Sequence, residues 1–174
     1  INPKQFGVFR GENYALAFAA IVTILKELKI EYDNDKIVEA LNTASWIGRT
    51  EVIGREPLTI LDGAHNIDAI EKLFKSVSKI NHKKLITVFA IMSRKDHEHI
   101  APVVRKNSDI LIVTTNNDSK ALDPGTLKKE TSADYSFYNL KDALEKSKEL
   151  ADKDDTILIF GSLYLVGEIL KLIK

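Results

Sequence analysis

The sequence has no cysteine, and this absence excludes several kinds of chemistry. A disulfide framework, a thiolate metal site and a cysteine nucleophile all need a residue that the chain lacks. The chain does not need such cross-links to fold, because 44% of its 174 residues are hydrophobic and can form a buried core. We therefore expect a fold that is held together by apolar packing.

An excess of charge of one sign is also missing. The 25 lysines and arginines are balanced by 25 aspartates and glutamates, so no basic field favours nucleic acid. No apolar run approaches the roughly 20 residues that span a bilayer, and no secretory signal is visible. We expect a cytoplasmic protein without a nucleic-acid or membrane partner. The first residue is Ile1 rather than methionine, so we expect the chain to be part of a longer protein.

A glycine-rich phosphate loop is the third absence. No segment matches GxxxxGK followed by Ser or Thr, and no GxGxxG motif opens a helix. If this chain contributes to a nucleotide site, residues of another kind must hold the phosphates.

The segment Leu58–Asn66 is the most informative part of the chain. Its apolar start predicts a short strand, which stops at the turn DGAHN of residues 62–66, and an amphipathic helix follows with Asn66 as its cap. In a parallel sheet, ligands bind at such a turn. Asp62 can accept hydrogen bonds from a ribose diol, and His65 can donate, accept or titrate. The same residue types also suit turns and caps, so a purely structural turn is the alternative.

From about residue 46 onward, short apolar strands alternate with amphipathic helices. This order predicts an α/β fold, a mostly parallel Rossmann-like sheet with helices on both faces. Two helices precede it, and the first is so apolar that we expect it to be buried on more than one side. We place the domain boundary at Trp46–Arg49, between a unit of residues 1–45 and a unit of residues 46–174. The predicted strands are 50–54, 57–61, 84–91, 110–115, 136–138 and 156–160. The first predicted helix follows Gly11-Glu12-Asn13 and the second starts at Asp33-Asn34-Asp35. The remaining predicted helices cover 66–80, 95–107, a short segment from Asp123-Pro124, 140–151 and 163–174.

Three further polar turns follow predicted strands, at residues 93–96, at 116–119 and at Gly161-Ser162. Because the carboxyl ends of parallel strands lie at one edge of a sheet, we expect all of these turns to meet there together with the turn at 62–66. Such a rim would combine a carboxylate, an imidazole, two cations and a hydroxyl.

Three motifs together resemble the C-terminal part of folylpolyglutamate synthase/dihydrofolate synthase, a branch of the Mur ligase superfamily. WIGR at 46–49 resembles the family's WPGR-type turn, DGAHN at 62–66 its DGAHN turn, and GSLYLVGE at 161–168 its terminal GS-x-Y-x-VGE segment. The segment Gly7–Ala17 also resembles the stretch that closes the family's central ATPase domain. Cell-wall ligases of the superfamily tend to have DYAHNP at the second motif, which favours the folate branch.

The resemblance implies an ATP-dependent amide ligase. A substrate carboxylate would be phosphorylated to an acyl phosphate, which the amine of glutamate then attacks. The substrates would be ATP, glutamate, and folate or dihydropteroate, with Mg²⁺ as cofactor. The phosphate loop and the metal ligands would lie upstream of Ile1, on a central domain against which this chain packs. We therefore expect no catalytic residue and no metal ligand in the chain, and no activity from the chain alone.

The resemblance also implies roles for six residues. Asn13 matches the adenine contact, Arg49 the arginine that reaches the ATP phosphates, and Asp62 the aspartate that holds the ribose. The glutamate pocket would be lined by His65, Ser162 and, less closely matched, Lys95.

Each of these residues also has a structural alternative. Asn13 could cap the first helix, Arg49 could be a linker cation, and Lys95 a solvated charge. Ser162 could cap the last helix and still touch a ligand. Two rival functions are a cell-wall amino-acid ligase domain and a non-catalytic Rossmann-like binding domain that keeps the turns for packing.

Overall fold

The structure of the chain is a computed structural model, which describes residues 10–44 and 46–173, with the backbone only at Arg10. Two helices come first and a six-stranded α/β unit follows. The helices are α1 (Arg10–Glu27), α2 (Asn34–Thr43), α3 (Ile67–Val77), α4 (His97–Lys106), α5 (Pro124–Thr131), α6 (Leu140–Leu150) and α7 (Leu163–Leu172). The strands are β1 (Glu51–Arg55), β2 (Leu58–Asp62), β3 (Leu85–Phe89), β4 (Ile110–Val113), β5 (Tyr135–Ser136) and β6 (Thr156–Phe160).

The strands form one sheet in the order β1-β2-β6-β3-β4-β5. The hairpin strand β1 pairs with β2 in antiparallel orientation, and all other neighbours are parallel. The last strand, β6, lies between β2 and β3, with Asp62 beside Phe160 and Phe89 beside the same residue. The end of the chain therefore occupies the centre of the sheet.

The two faces of the sheet carry separate apolar cores. On one face, α3, α4 and α5 pack against alternate strand residues around Phe89 and Phe160, whose ring centroids lie 5.1 Å apart. On the other face, α6 and α7 pack against the remaining strand residues, such as Ile112 and Ile159. Strands β3 and β6 are buried along their whole length, as expected for strands covered on both sides. The predicted α/β class, the mostly parallel sheet and the helices on both faces are confirmed.

The predicted elements are present, with shifted ends. The predicted strand 136–138 differs most, because the observed strand is the pair Tyr135–Ser136, which hydrogen-bonds beside Ile112 and Val113 at the edge of the sheet. The helix predicted from Lys95 begins at His97, since the N–H group of Lys95 donates to the carbonyl of Met92 and closes a turn there. Pro102 lies inside this helix, which is short.

Helices α1 and α2 pack against each other ahead of the sheet. Large apolar side chains of α1 stay in solvent, with Leu16 72%, Ile24 56% and Leu28 63% exposed. The sequence pattern predicts burial of this helix on more than one side, and within the described chain that burial is not achieved. These side chains therefore form an apolar face that is exposed to solvent.

Candidate functional site

The polar turns predicted from the sequence follow neighbouring strands of the sheet. The turns after β2, β6, β3 and β4 all leave the same edge, because these four strands are parallel and adjacent. The chain after β2 enters α3 on one face, whereas the chain after β6 enters α7 on the opposite face. The chain therefore changes face at the carboxyl end of β6, which is where open α/β sheets bind ligands, and a crevice at this point is the candidate site. The turns leave one edge of the sheet, as the sequence predicts.

Asp62 ties two turns together at this rim. Its Oδ2 atom accepts the N–H group of Thr50 at 2.7 Å, and its Oδ1 atom accepts the N–H group of Ala64 at 2.7 Å. The N–H group of Gly63 donates to the carbonyl of Gly48 at 2.8 Å, so the two turns are joined by backbone as well. Each carboxylate oxygen retains a second lone pair that a ligand hydroxyl could use.

The Asp62 carboxylate is only 6% exposed. This burial is the largest influence on its ionisation and raises the pKa of Asp62 above its usual range. The two backbone hydrogen bonds and the nearby charges of Arg49 and His65 act in the opposite direction but do not cancel the effect of burial. Arg49 and His65 are the chain neighbours of Thr50 and Ala64, the two residues bonded to Asp62, so all three side chains belong to the same part of the rim.

Two glycines make the close approach of these turns feasible. A Cβ atom on Gly48, which has φ +71°, would collide with the side chain of Val166, and one on Gly63 would collide with Leu163. Both contacted residues belong to α7, so the WIGR and DGAHN segments pack directly against the last helix. Sequence analysis treats residues 46–49 as a linker-like turn at a domain boundary. It misses the roles of Thr50, as a donor to Asp62, and of Glu51, whose side chain accepts the N–H group of Gly48.

His65 is half-buried and held by its own turn. Its Nδ1 atom lies 2.8 Å from the carbonyl oxygen of Gly63, so this nitrogen is the donor and the Nε2 atom is left for another partner. The next residue, Asn66, accepts the N–H group of Ala69 at 2.9 Å and caps α3, as the sequence predicts. The cap fixes the direction in which the chain leaves the rim.

Ser162 directly follows the end of β6, between the turns that follow β2 and β3. Its Oγ atom accepts the N–H group of Tyr164 at 3.1 Å, so it is the N-cap of α7, and it is 2% exposed. The hydroxyl proton is still available to a ligand, because capping uses only an oxygen lone pair. The preceding Gly161 has φ +124°, and a Cβ atom there would collide with the carbonyl oxygen of Ala90.

Lys95 follows β3, which is the strand on the other side of β6. Its side chain is half-buried. Within the described part of the chain, neither Lys95 nor Arg49 makes an ion pair within the usual distance. Arg49 therefore acts on the Asp62 carboxylate at longer range only, and Lys95 has no ion-pair partner among the described residues.

Asn13 is not brought to the rim by the sheet. It lies on α1, whose first residue is Arg10, and its side chain is exposed. The alternative role of Asn13 as an N-cap is wrong, because the helix already begins three residues earlier. The start of the segment Gly7–Ala17, up to Phe9, lies outside the described residues.

Residues 10–44 and 46–173 contain no group of three or more His, Asp or Glu side chains that could hold a metal ion. The two imidazoles of the helix segment HEH, at 97–99, each pair with a carboxylate. The Nδ1 atom of His97 lies 2.7 Å from Oε2 of Glu130, and the Nδ1 atom of His99 lies 2.7 Å from Oδ1 of Asp96. None of the helices in the described residues is both long enough and apolar enough to cross a membrane.

Comparison with known proteins gives relatives among the folylpolyglutamate and dihydrofolate synthases and also among the 2,6-diaminopimelate ligases. A probable bifunctional folylpolyglutamate synthase/dihydropteroate synthase of Haloferax volcanii is 30% identical over 169 residues, which are 93% of this chain and 19% of that protein. A crystal structure of Mycobacterium tuberculosis folylpolyglutamate synthase, complexed with ADP and AMPPCP, matches with a TM-score of 0.85 and 22% identity. The match covers 97% of this chain and 41% of that one.

A third match is a bifunctional folylpolyglutamate synthase/dihydrofolate synthase solved with Mn, AMPPNP and L-glutamate, with a TM-score of 0.78 and 24% identity over 87% of this chain and 37% of that one. This chain thus spans between about a fifth and two fifths of the length of these proteins. Residues 48–163, which include the whole sheet and its rim, match the family described as "Mur ligase, glutamate ligase domain". The chain therefore belongs to the Mur ligase glutamate ligase domain family, within which its relatives include folylpolyglutamate and dihydrofolate synthases.

Proposed function

We propose that this chain is the C-terminal part of an ATP-dependent ligase that joins glutamate to a folate or to dihydropteroate. The observation that carries the proposal is the convergence of Arg49, Asp62, His65 and Ser162 on one crevice, within a domain of the glutamate ligase family. Residues 1–45 are then the tail of a central ATP-binding domain, and residues 46–174 are the glutamate ligase domain.

The ATP side of the crevice is formed by the turns at 46–49 and 62–66, which Asp62 joins. Arg49 is exposed and without an ion pair among the described residues, and its planar guanidinium suits the phosphates of a nucleotide. Asp62, with a free lone pair on each oxygen, suits the ribose hydroxyls. Asn13 would contact adenine from α1. Because it lies inside the helix and does not cap it, its exposed side chain is available for that contact.

The glutamate side is formed by His65, Ser162 and Lys95. The Nε2 atom of His65 and the hydroxyl of Ser162 can hydrogen-bond a carboxylate, and the ammonium of Lys95 can neutralise one. These groups follow β2, β6 and β3, three adjacent strands, so they flank one crevice from both sides. The relative solved with AMPPNP and L-glutamate supports this choice of ligand.

The chemistry requires no covalent bond to this chain. The γ-phosphoryl group of ATP moves to an oxygen of the acceptor carboxylate, and ADP leaves. The amine of glutamate attacks the acyl carbon, an amide forms, and inorganic phosphate leaves with the former carboxylate oxygen. The residues named here bind and orient the reactants, which is a large part of catalysis in phosphoryl transfer. ATP would enter with a divalent cation whose protein ligands lie outside the described residues.

The upstream domain is the partner that this chain needs. Large apolar side chains stay exposed around the rim, as they do along α1, and a covering domain would remove them from water. The exposed rim residues are Trp46, Ile47, Ile67, Leu163 and Tyr164. Closure of two domains around the crevice would also exclude water from the acyl phosphate.

The test is an assay of the full-length protein with ATP, Mg²⁺ and glutamate, with dihydropteroate or tetrahydrofolate as acceptor. We expect ADP release that requires both glutamate and one of these acceptors, and a GTNGKGS-type phosphate loop in the upstream sequence. ADP release with a cell-wall precursor instead would identify an amino-acid ligase of that branch. The absence of both turnover and a phosphate loop would identify a non-catalytic binding domain.

A further inference from the structure

Glu168, on α7, reaches across the rim to a loop of another strand. Its Oε1 atom accepts the N–H group of Asn117 at 2.8 Å, and Asn117 belongs to the loop that joins β4 to α5. Glu168 is half-buried and lies six residues after Ser162, within two turns of the helix that Ser162 caps. A residue of α7 is thus bonded to the rim turn that follows β4.

The same loop is fastened at its far end to the segment that carries Lys95. The N–H group of Leu122 donates to the carbonyl of Ile91 at 2.8 Å. Ser93 donates twice to the carbonyl of Lys120, through its N–H group at 2.9 Å and through its hydroxyl at 3.0 Å. The loop therefore moves together with residues 91–95.

The loop is also braced between these two attachments. Asn116 is 5% exposed, and its Oδ1 atom accepts the N–H group of Asp118 at 3.1 Å. Its Nδ2 atom lies 3.8 Å from the Sδ atom of Met92, which belongs to the segment after β3. A buried, bonded side chain of this kind transmits displacement rather than absorbing it.

We propose that Glu168 is a positioning residue, which sets the distance between the Ser162 lip and the Lys95 lip of the crevice. Its carboxylate holds the β4–α5 loop against α7, and the loop in turn holds the segment of Lys95. This inference rests on the proposed function, since the pocket between the two lips is the one assigned to glutamate. Glu168 itself touches neither ATP nor glutamate.

The test is steady-state kinetics of the full-length ligase with Glu168→Ala. We expect the KM for glutamate to rise about tenfold, the effect of losing one hydrogen bond to a charged acceptor, with the KM for ATP within about twofold of the parent. Glu168→Gln keeps the side-chain length and an acceptor oxygen, so it should restore the parental KM for glutamate. Glu71→Ala, an exposed glutamate of α3, is the matched control.

A second variant and a second measurement make the test independent of folding losses. Glu168→Asp keeps the charge but shortens the reach, and it should also raise the KM for glutamate. Amide hydrogen exchange of the β4–α5 loop should be faster in Glu168→Ala and Glu168→Asp than in Glu168→Gln. Parental KM for glutamate in the Ala and Asp variants, or an equal rise in the KM for ATP, would overturn the inference. A parent enzyme without glutamate-dependent turnover would instead overturn the proposed function.

Discussion

At the scale of single residues, the shape of the rim depends on Asp62, whose carboxylate accepts hydrogen bonds from the backbone. Asp62 accepts the N–H groups of Thr50, twelve residues before it, and of Ala64, two residues after it, and both hydrogen bonds are 2.7 Å long. Such a residue holds the shape of the site whether or not a ligand is present. Arg49 lies in one of these turns, yet its own side chain is exposed. The two residues should therefore respond differently to substitution.

We predict that Arg49→Ala and Asp62→Ala both sharply reduce turnover of the full-length enzyme. Asp62→Ala should also reduce the free energy of unfolding by about 1–3 kcal/mol, because two buried N–H groups lose their acceptor, whereas Arg49→Ala should leave it unchanged. Kinetics and urea denaturation measure the two effects. Arg55→Ala is the control for Arg49, since it removes an exposed arginine at the opposite end of the hairpin strand. Near-parental kinetics of the Arg49 or Asp62 variant would remove that residue from the site.

At the scale of elements, the junction between β6 and α7 is the least tolerant part of the rim. Gly161 has positive φ and lies against the carbonyl of Ala90, which is backbone and cannot move aside. Gly63 lies against Leu163, a side chain that is 48% exposed and can rotate away. The two glycines look alike in the sequence, and only the neighbouring atoms distinguish them.

We predict that Gly161→Ala destabilises the fold by about 3 kcal/mol or more, since a strained backbone and a backbone collision act together. Gly63→Ala should cost about 1 kcal/mol or less, because the exposed side chain can adapt. Urea denaturation of both variants beside the parent gives the comparison. Equal losses would show that the two turns are equally adaptable.

A second junction joins α4, β4 and the turn after α5 through Asp134. Its Oδ2 atom accepts the N–H group of Leu111 at 2.8 Å and a guanidinium N–H group of Arg105 at 2.9 Å. Partial burial raises the pKa of Asp134, but these hydrogen bonds outweigh it and bring the pKa below the usual 3.8. A carboxyl group with a lowered pKa stabilises the fold above its unfolded-state pKa, and this contribution is lost as pH falls below that value.

We therefore predict that Asp134→Asn lowers stability at pH 7, and that the difference from the parent narrows as pH falls below about 3.8. The side chain is 44% exposed, so the difference at pH 7 should be about 1 kcal/mol or less. Urea denaturation at several pH values measures it. Asp142→Asn, on the exposed side of α6, is the control and should show a smaller change. A difference that widens in acid would contradict the assignment.

The element boundaries show how far the sequence pattern reaches. The strand Thr156–Phe160 is predicted to the residue, because its apolar run is buried on both faces. The apolar runs predicted at 84–91 and 110–115 extend beyond the observed strands Leu85–Phe89 and Ile110–Val113. The edge strand Tyr135–Ser136 is misplaced, because two residues carry no periodicity and only pairing with β4 defines them. The cap at Asn66 is predicted because it is local, whereas the bond between Thr50 and Asp62 is not local and is missed.

At the scale of the whole molecule, the proposed roles would make this chain one part of a site. Under that proposal the rim would bind a ribose, phosphates and an amino acid, but the sequence lacks a phosphate loop and the described residues lack a metal cluster. The exposed apolar side chains on α1 and around the rim have the distribution expected of a surface that another domain covers.

We predict that this chain alone has no ligase activity and binds ATP-Mg²⁺ weakly. Apart from Arg49, the contacts that would hold the charged phosphates belong to a phosphate loop, which this sequence lacks, and such contacts supply much of the affinity for a nucleotide. Isothermal titration calorimetry with ATP and Mg²⁺ measures this directly. Submicromolar binding would contradict the prediction and would mean that the rim is a complete nucleotide site.

The sequence by itself determined the class of the fold, the identity of the turns and the family, because these depend on local periodicity, caps and short motifs. The roles of the six site residues remain predictions that rest on that resemblance. Only the tertiary structure decided the strand order, which inserts β6 between β2 and β3 and so places Ser162 between the turns of His65 and Lys95. The physical reason is that hydrogen bonds between strands and the choice of face for each helix depend on packing across distant parts of the chain, which no local pattern records.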